Sequence, residues 1–415
     1  MNKPELLIPA GNIEKLKTAI LYGADAVYTG VSGLSLRAGS AEMSLVELAE
    51  GIRIAHAHNV KVYGALNTFA RNSDLQKVKE IIPELASANI DALIVSDPGI
   101  IRLIRSIAPS IQIHLSTQAN TTNIEAVRFW RDQGVTRIVL ARELNLKEIA
   151  HIAADAPEME LEIFVHGAMC MAYSGRCFLS YFRNRRSANQ GDCSQPCRWE
   201  YLLRESTRPD EPLILEEDER YSYLLSSRDL CLIEYLPEVL SCGVASLKIE
   251  GRMKSSYYVA MVTRTYRQAL NNLLSQPESY HNNARWMDEL RKTSNRGFTT
   301  GFAFSEEKIN ATSPDIKYIQ THEPAGTVRQ YDAAHKRILL DVKNHLTSGD
   351  ELELLLPEDT IKIDASIMTD LNGNKLAAAH SGGQIYLPAE IKAPAGALVR
   401  KKIIKSENYR RSADR

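Results

Sequence analysis

The chain has 415 residues, 44% hydrophobic and 24% charged, which is ordinary globular composition and enough length for one large domain plus a smaller one. With 50 Lys and Arg against 51 Asp and Glu, the formal net charge is −1, so there is no global polyanion-binding charge and a nucleic-acid contact has to be a local basic patch. The absence of a signal-like apolar core near Met1, and of any apolar run of about 18 residues, predicts a cytoplasmic protein with no membrane span.

In chain order, the first two thirds alternate amphipathic segments with short apolar runs. Strands are predicted at 5–10, within "LYGADAVYTG" (21–30), at 61–67, within "SANIDALIVSD" (87–97), at 111–117, within "DQGVTRIVLAR" (132–142), at 160–166 and within "SCGVASLKIEG" (241–251). Between them, "NIEKLKTAI", "SLVELAEGIRIAHAH" and "DLQKVKEIIPELAS" carry apolar residues at helical spacing. Eight such alternations predict an α/β fold, a TIM-type (β/α)8 barrel over residues 1–305, in preference to an open doubly wound sheet.

Chemistry in such barrels gathers where strands end. Those ends place Thr117, Gln118 and Asn120 after strand five, and Arg142 and Glu143 after strand six. His166 and Gly167 follow strand seven, and Glu250 and Arg252 follow strand eight. The connection from strand seven to strand eight runs about eighty residues where about two to six are usual, so it contains an insertion, at about 168–225.

Beyond residue 310 the pattern changes to short strands separated by Gly, Asn and Asp turns, which predicts a small β-barrel domain over 310–405. Modules of that kind bind nucleic acid or proteins in many settings, without the fold assigning either. Residues 406–415 form a basic tail, readable as solubilising or as an RNA contact.

Four of the six cysteines, Cys170, Cys177, Cys193 and Cys197, fall in the insertion, with six, fifteen and three residues between them. Reducing cytosol disfavours disulfides, leaving metal binding, catalysis or burial. Cys231 and Cys242 sit apart at helical spacing and read as core. Four thiolates suit a zinc ion or an iron-sulfur cluster, and spacing alone does not separate the two. Structural zinc favours two short knuckles, whereas only "CSQPC" is short here and the longer arm with Gly175 suits a loop around a larger object. Redox-active or unliganded thiols are the third reading.

The stretch "EIFVHGAMCMAYSGRCFLS" (162–180) resembles the signature of the collagenase-like peptidase family, peptidase U32, through Glu162, Phe164, Gly167, Ala168, Met169, Cys170, Gly175, Cys177, Leu179 and Ser180. "LLIPAGNIEKLKTAILYGADAVYTG", "LNTFA", "HLSTQANTTN" and "SLKIEGRMKS" resemble the same family. The resemblance implies two functional readings. One is a peptidase of unassigned mechanism. The other is dioxygen-independent hydroxylation of tRNA, rRNA or a ubiquinone precursor by proteins that hold a 4Fe-4S cluster, with prephenate implicated for the nucleic-acid members. A barrel followed by a β module most resembles the tRNA-hydroxylating members, which make 5-hydroxyuridine at the wobble position. Carried onto this chain, the resemblance implies Cys170, Cys177, Cys193 and Cys197 as cluster ligands, prephenate as cosubstrate, the tRNA anticodon loop as partner, and a paralogous subunit as a further partner.

Under that reading Gln118, Asn120 and Arg142 are expected to bond a uracil edge or an acidic cosubstrate, or else to satisfy the barrel rim. Arg183, Arg185, Arg186 and Arg198 interleave with Tyr181, Phe182 and Trp199, a mixture that binds phosphates and stacks bases, and that also occurs on plain solvated surface. Lys248, Arg252 and Lys254 are expected near the same barrel mouth, with Glu250 among the catalytic candidates. His166 is read as an acid/base or a donor to cluster sulfur, and Glu162 is expected on the same strand face. The peptidase alternative finds no G-x-S-x-G and no H-E-x-x-H helix, since "THEPAG" carries proline right after His-Glu; it rests on His166 lying four residues before Cys170.

Overall fold

A computed structural model of the chain describes residues 3–31, 42–170, 172–173, 176–186, 193–198, 228–304 and 319–403. Eight strands form the barrel: β1 (Glu5–Pro9), β2 (Ala26–Val31), β3 (Lys61–Leu66), β4 (Ala92–Val95), β5 (Gln112–Leu115), β6 (Arg137–Val139), β7 (Glu160–Ala168) and β8 (Ser246–Ile249). Each pairs in parallel with the next, and β8 pairs with both β7 and β1, which closes the ring. Strands β2 and β4 are buried along their whole length because helices cover the outside while side chains fill the inside.

The helices follow from local signals. The Asp97 side chain accepts the N–H groups of Gly99 and Ile100 at the start of α4 (Pro98–Ile107), which then turns Ile100, Ile101 and Ile104 inward. Capping boxes begin α2 (Leu45–His56) at Ser44 and Glu47, and α6 (Leu146–Asp155) at Asn145 and Glu148. Each such cap contributes about 1 kcal/mol. The longest helix among the described residues, α8 (Ser256–Ser275), packs on α1 (Ile13–Leu21) and β1, and its Arg267 donates to the Gly23 carbonyl and pairs with Asp25.

Within the long β7–β8 connection, the short strand Asp229–Cys231 runs antiparallel to the end of β7, and Phe298–Thr299 pairs in parallel with it. The helix Leu179–Asn184 packs on the turn Pro196–Arg198, and Ser194 N donates to Ser180 Oγ at 3.0 Å. The chain segments that carry Cys177 and the Cys193–Cys197 pair therefore lie side by side. Cys231 is buried, with its thiol 3.8 Å from the Tyr266 hydroxyl, and is a core residue, although it ends a strand where helical spacing had been expected.

The chain divides into two compact units, the second of which takes residues 288–294 together with those from 319 onward. This differs from the boundary near 305–310 that composition suggested. The reason is Arg400, a fully buried guanidinium that donates to Glu289 at 2.8 and 3.1 Å and to Glu353 at 2.6 Å. Burying that charge requires both carboxylates, and one of them comes from upstream of the sequence boundary. The second unit is antiparallel: β9 (His322–Asp332), β10 (Arg337–Val342), β11 (Glu351–Leu355), β12 (Thr360–Asp364), β13 (Gln384–Pro388) and β14 (Leu398–Lys402) lie in the order β12-β11-β14-β9-β10-β13. It forms a half-barrel with β12 and β13 at the ends of the strand order, the small β domain that the sequence predicted. Among the described residues no helix is long and apolar enough to cross a membrane.

Candidate active site

The barrel interior is unusual for its charges. At its centre the Glu162 carboxylate, fully buried, accepts from Lys248 Nζ at 2.7 Å and from Arg137 Nη1 at 3.3 Å. Arg137 also reaches Glu5 at 2.5 Å and Glu160 at 2.8 Å, and Tyr63 donates its hydroxyl to Glu5 at 2.7 Å. Burial alone would raise the Glu162 carboxyl, but Lys248 and then Arg137 overcome it and hold the group at about 2. His114 packs edge-on against Tyr63, and burial followed by the Arg137 charge pushes it down to about 3, so it is neutral. A column of compensated charge thus runs through a core that is ordinarily filled by aliphatic layers.

Above this column, at the C-terminal ends of the strands, lies a cavity of about 100 Å³. Gln118, Arg142, Lys248, Glu250, Arg252 and Cys170 all line it. Thr117 and Gln118 sit on a 3-10 turn (Thr117–Ala119) after β5, begun by Ser116, and Thr117 Oγ1 donates to the Leu140 carbonyl at 3.1 Å to bind this loop to the end of β6. Arg142 lays its guanidinium over the Phe164 ring at 3.8 Å, donates Nη1 to the Ala168 carbonyl at 2.8 Å and brings Nη2 to 3.9 Å from Glu250. Tyr28 donates to the Ile249 carbonyl at 2.9 Å and stands 3.4 Å from Glu250.

The end of β7 reaches the β8 loop only because residue 167 is glycine. Gly167 has φ +109°, and a Cβ there would stand 2.6 Å from the Glu250 carbonyl oxygen. Glu250 N donates to the His166 carbonyl at 2.8 Å across this approach.

Several sequence expectations change. The register of β7 against β8 shifts between Lys248 and Ile249, a bulge that takes His166 off the face shared by Glu162 and Phe164. His166 therefore packs outside the barrel among Tyr258, Tyr266 and Phe298, with Nδ1 3.5 Å from the Tyr266 hydroxyl, and burial pushes it down to about 4. It does not line the cavity, and neither does Glu162, which lies beneath it as the counter-ion of Lys248. Asn120 also falls outside the lining, in a left-handed conformation (φ 53°) with its amide donating to the Gln118 carbonyl at 3.1 Å.

Strand-end reasoning missed Asn67 and Ser116, which line the cavity after β3 and β5, although the same rule applied to "LNTFA" would have found Asn67. It also missed Arg137 and His114, whose signal was a polar residue at an inward position of an otherwise apolar strand.

Arg176 donates to the Gln118 carbonyl at 3.5 Å, and in the helix that follows, Leu179–Asn184, lies Arg183, with Arg185 and Arg186 just after it, these three all exposed. Exposed Phe178, Tyr181 and Phe182 accompany them, and Arg185 stands 5.6 Å from the Tyr181 ring centroid. Arg198 closes the turn Pro196–Arg198, its side chain outside the described residues, as is all of Trp199. Cys170 is exposed and Cys177, Cys193 and Cys197 are partly exposed, none of them in a disulfide, and the Gln195 N–H points at Cys193 Sγ at 3.4 Å. Among the described residues no three His, Cys, Asp or Glu side chains yet approach closely enough to hold a metal ion.

These features define a (β/α)8 barrel protein with a polar, charge-paired cavity at its C-terminal mouth, lined in part by Cys170 of the thiol-bearing segment. The chain belongs to peptidase family U32: residues 11–313 match the family itself and residues 320–400 match the peptidase family U32 C-terminal domain. It is 38% identical over 389 residues to tRNA hydroxylation protein P1 of Bacillus subtilis, covering 92% of this chain and 91% of that one. It is 36% identical to the 23S rRNA 5-hydroxycytidine C2501 synthase of Escherichia coli, covering 89% of this chain and 55% of that longer protein. It is also 34% identical to a collagenase of Porphyromonas gingivalis, covering 73% of this chain and 74% of that one.

Proposed function

We propose that the chain is an RNA-hydroxylating enzyme, acting without dioxygen on the wobble uridine of tRNA to give 5-hydroxyuridine, with prephenate as cosubstrate. The observation that carries the reading is that Cys170 lines the same cavity as Gln118, Arg142 and Lys248. Cys170, Cys177, Cys193 and Cys197 would hold a 4Fe-4S cluster, which supplies electron transfer when bound. The chain's own residues do the rest. Lys248 and Arg142 present positive charge to the ligand, Gln118 offers a hydrogen bond, and the exposed arginines and aromatics beside the mouth suit phosphates and unstacked bases of a single-stranded loop. The relatives named for tRNA and rRNA hydroxylation support this reading.

The collagenase relative favours the peptidase alternative, but that reading placed His166 beside the Cys170 thiol, and the histidine packs instead among Tyr258, Tyr266 and Phe298.

Two measurements test the proposal. Iron and acid-labile sulfide are determined on protein purified without oxygen, for the wild type and for Cys170→Ala, Cys177→Ala, Cys193→Ala and Cys197→Ala; the expected result is about four of each per chain, lost in every variant. Nucleoside analysis of a deletion strain then shows loss of 5-hydroxyuridine derivatives from tRNA. Unchanged tRNA would refute the substrate, and zinc in place of iron would refute the cluster.

A further inference from the structure

Among the described residues, two nitrogen donors of cavity-lining side chains find no hydrogen-bond partner: Gln118 Nε2 and Arg142 Nε. Both residues line the cavity, and Gln118 is only 2% exposed. A buried donor left without an acceptor costs about 1–3 kcal/mol, and native proteins seldom carry two on one wall unless something completes them.

Which end of the Gln118 amide faces the cavity is decided by Ser116. The Ser116 hydroxyl accepts from the Gln118 backbone N–H at 3.4 Å and from the Asn67 side-chain amide at 3.5 Å. Both lone pairs are then used, and the one remaining proton goes to Gln118 Oε1 at 3.3 Å. With the Asn67 amide donating to that hydroxyl, a flipped Gln118 amide would set an N–H against an oxygen with no lone pair to give. Arg142 is fixed in a similar way by the Ala168 carbonyl and the Phe164 ring, which leaves Nε as its buried donor.

We propose that Asn67 and Ser116 are positioning residues that hold Gln118 as a hydrogen-bond donor, and that Gln118 Nε2 and Arg142 Nε together receive a carbonyl or carboxylate oxygen of the ligand. The inference deepens the proposed function and rests on its reading of this cavity as the ligand site. Two sources present that oxygen here: the base of a nucleotide swung out of an RNA loop, or a small carboxylic acid. A group offering N–H at the same point meets two donors and is excluded.

The test is calorimetric binding to the full chain purified without oxygen. Its probes are an anticodon stem-loop RNA with wobble uridine, the same RNA with pyrimidin-2-one at that position, which lacks the 4-carbonyl, and malonate. Gln118→Met removes the donor without adding charge and is expected to weaken the probe that uses the site by about tenfold. Ser116→Ala lets the amide turn and gives a smaller loss of about threefold, while Ser116→Thr restores the hydroxyl and the affinity. A loss seen with the uridine RNA and absent with the pyrimidin-2-one RNA assigns a base carbonyl. A loss confined to malonate assigns a carboxylate, and leaves the relay standing even if the RNA reading fails. Should Ser116→Ala unfold, Asn67→Ala tests the same relay one residue further out. Wild-type affinity for both uridine RNA and malonate in Gln118→Met, or no binding of either by the wild type, overturns the proposal.

Discussion

Glu162 on β7 and Lys248 on β8 meet at 2.7 Å inside the barrel, both all but inaccessible to solvent, so the cation on the cavity wall is held by a carboxylate directly beneath it. Removing Glu162 leaves the buried Lys248 cation without its carboxylate, and removing Lys248 leaves Glu162 with Arg137 alone, at 3.3 Å. Glu162→Ala and Lys248→Met are each expected to destabilise the chain by about 3–5 kcal/mol in denaturant unfolding. The double variant is expected to lose less than the sum, which a double-mutant cycle reads directly.

Neutral, buried His114 makes the fold sensitive to acid. Its neighbours are Arg137 and Lys248, which oppose a further positive charge, and Glu162, which favours one. With a folded value of about 3 against an unfolded value near 6.5, the unfolded chain binds more protons throughout that window, so stability falls as pH drops from about 6.5 to 3. Glu162, held at about 2, adds a further loss below about 4.5, as pH falls toward its own folded value. His166, pushed down to about 4, acts in the same window, so His114→Phe is expected to remove part of the slope of thermal unfolding above pH 4.5 and to leave the part that His166 contributes.

Gly167→Ala forces a Cβ to within 2.6 Å of the Glu250 carbonyl at a φ that disfavours any side chain. The expected cost is about 1–3 kcal/mol. Because Glu250 and Arg142 face the same cavity, ligand binding falls more than stability does. Calorimetry beside denaturant unfolding separates the two effects.

Exposed Arg183, Arg185 and Arg186 give a salt signature if they contact phosphates. Replacing all three with Gln is expected to weaken RNA binding regardless of sequence, and to flatten the slope of log K against log salt by about 2, at about 0.7 per single-strand phosphate. Filter binding over a salt series is the measurement. An unchanged slope moves the RNA contact elsewhere.

The sequence by itself determined the barrel, its eight strands, the β-rich second unit and the strand ends at which Gln118, Arg142 and Glu250 stand. Periodicity and capping are local signals, and parallel strands under covering helices leave them plainly written. The thiol-bearing insertion was equally legible, from connection length and cysteine spacing. Only tertiary structure decided which of these residues meet. A one-residue bulge in β7 sends His166 outward, and no periodicity records a bulge. The counter-ions of Lys248 and Arg137 come from strands far apart in sequence, joined only when the sheet closes on itself. Arg400 draws Glu289 across the boundary that composition suggested, because a buried guanidinium takes its carboxylates wherever the fold supplies them. The proposed roles of Asn67 and Ser116 depend on one hydroxyl proton: its two contacts to Gln118 lie within one turn, and only the folded barrel brings Asn67 to it from β3.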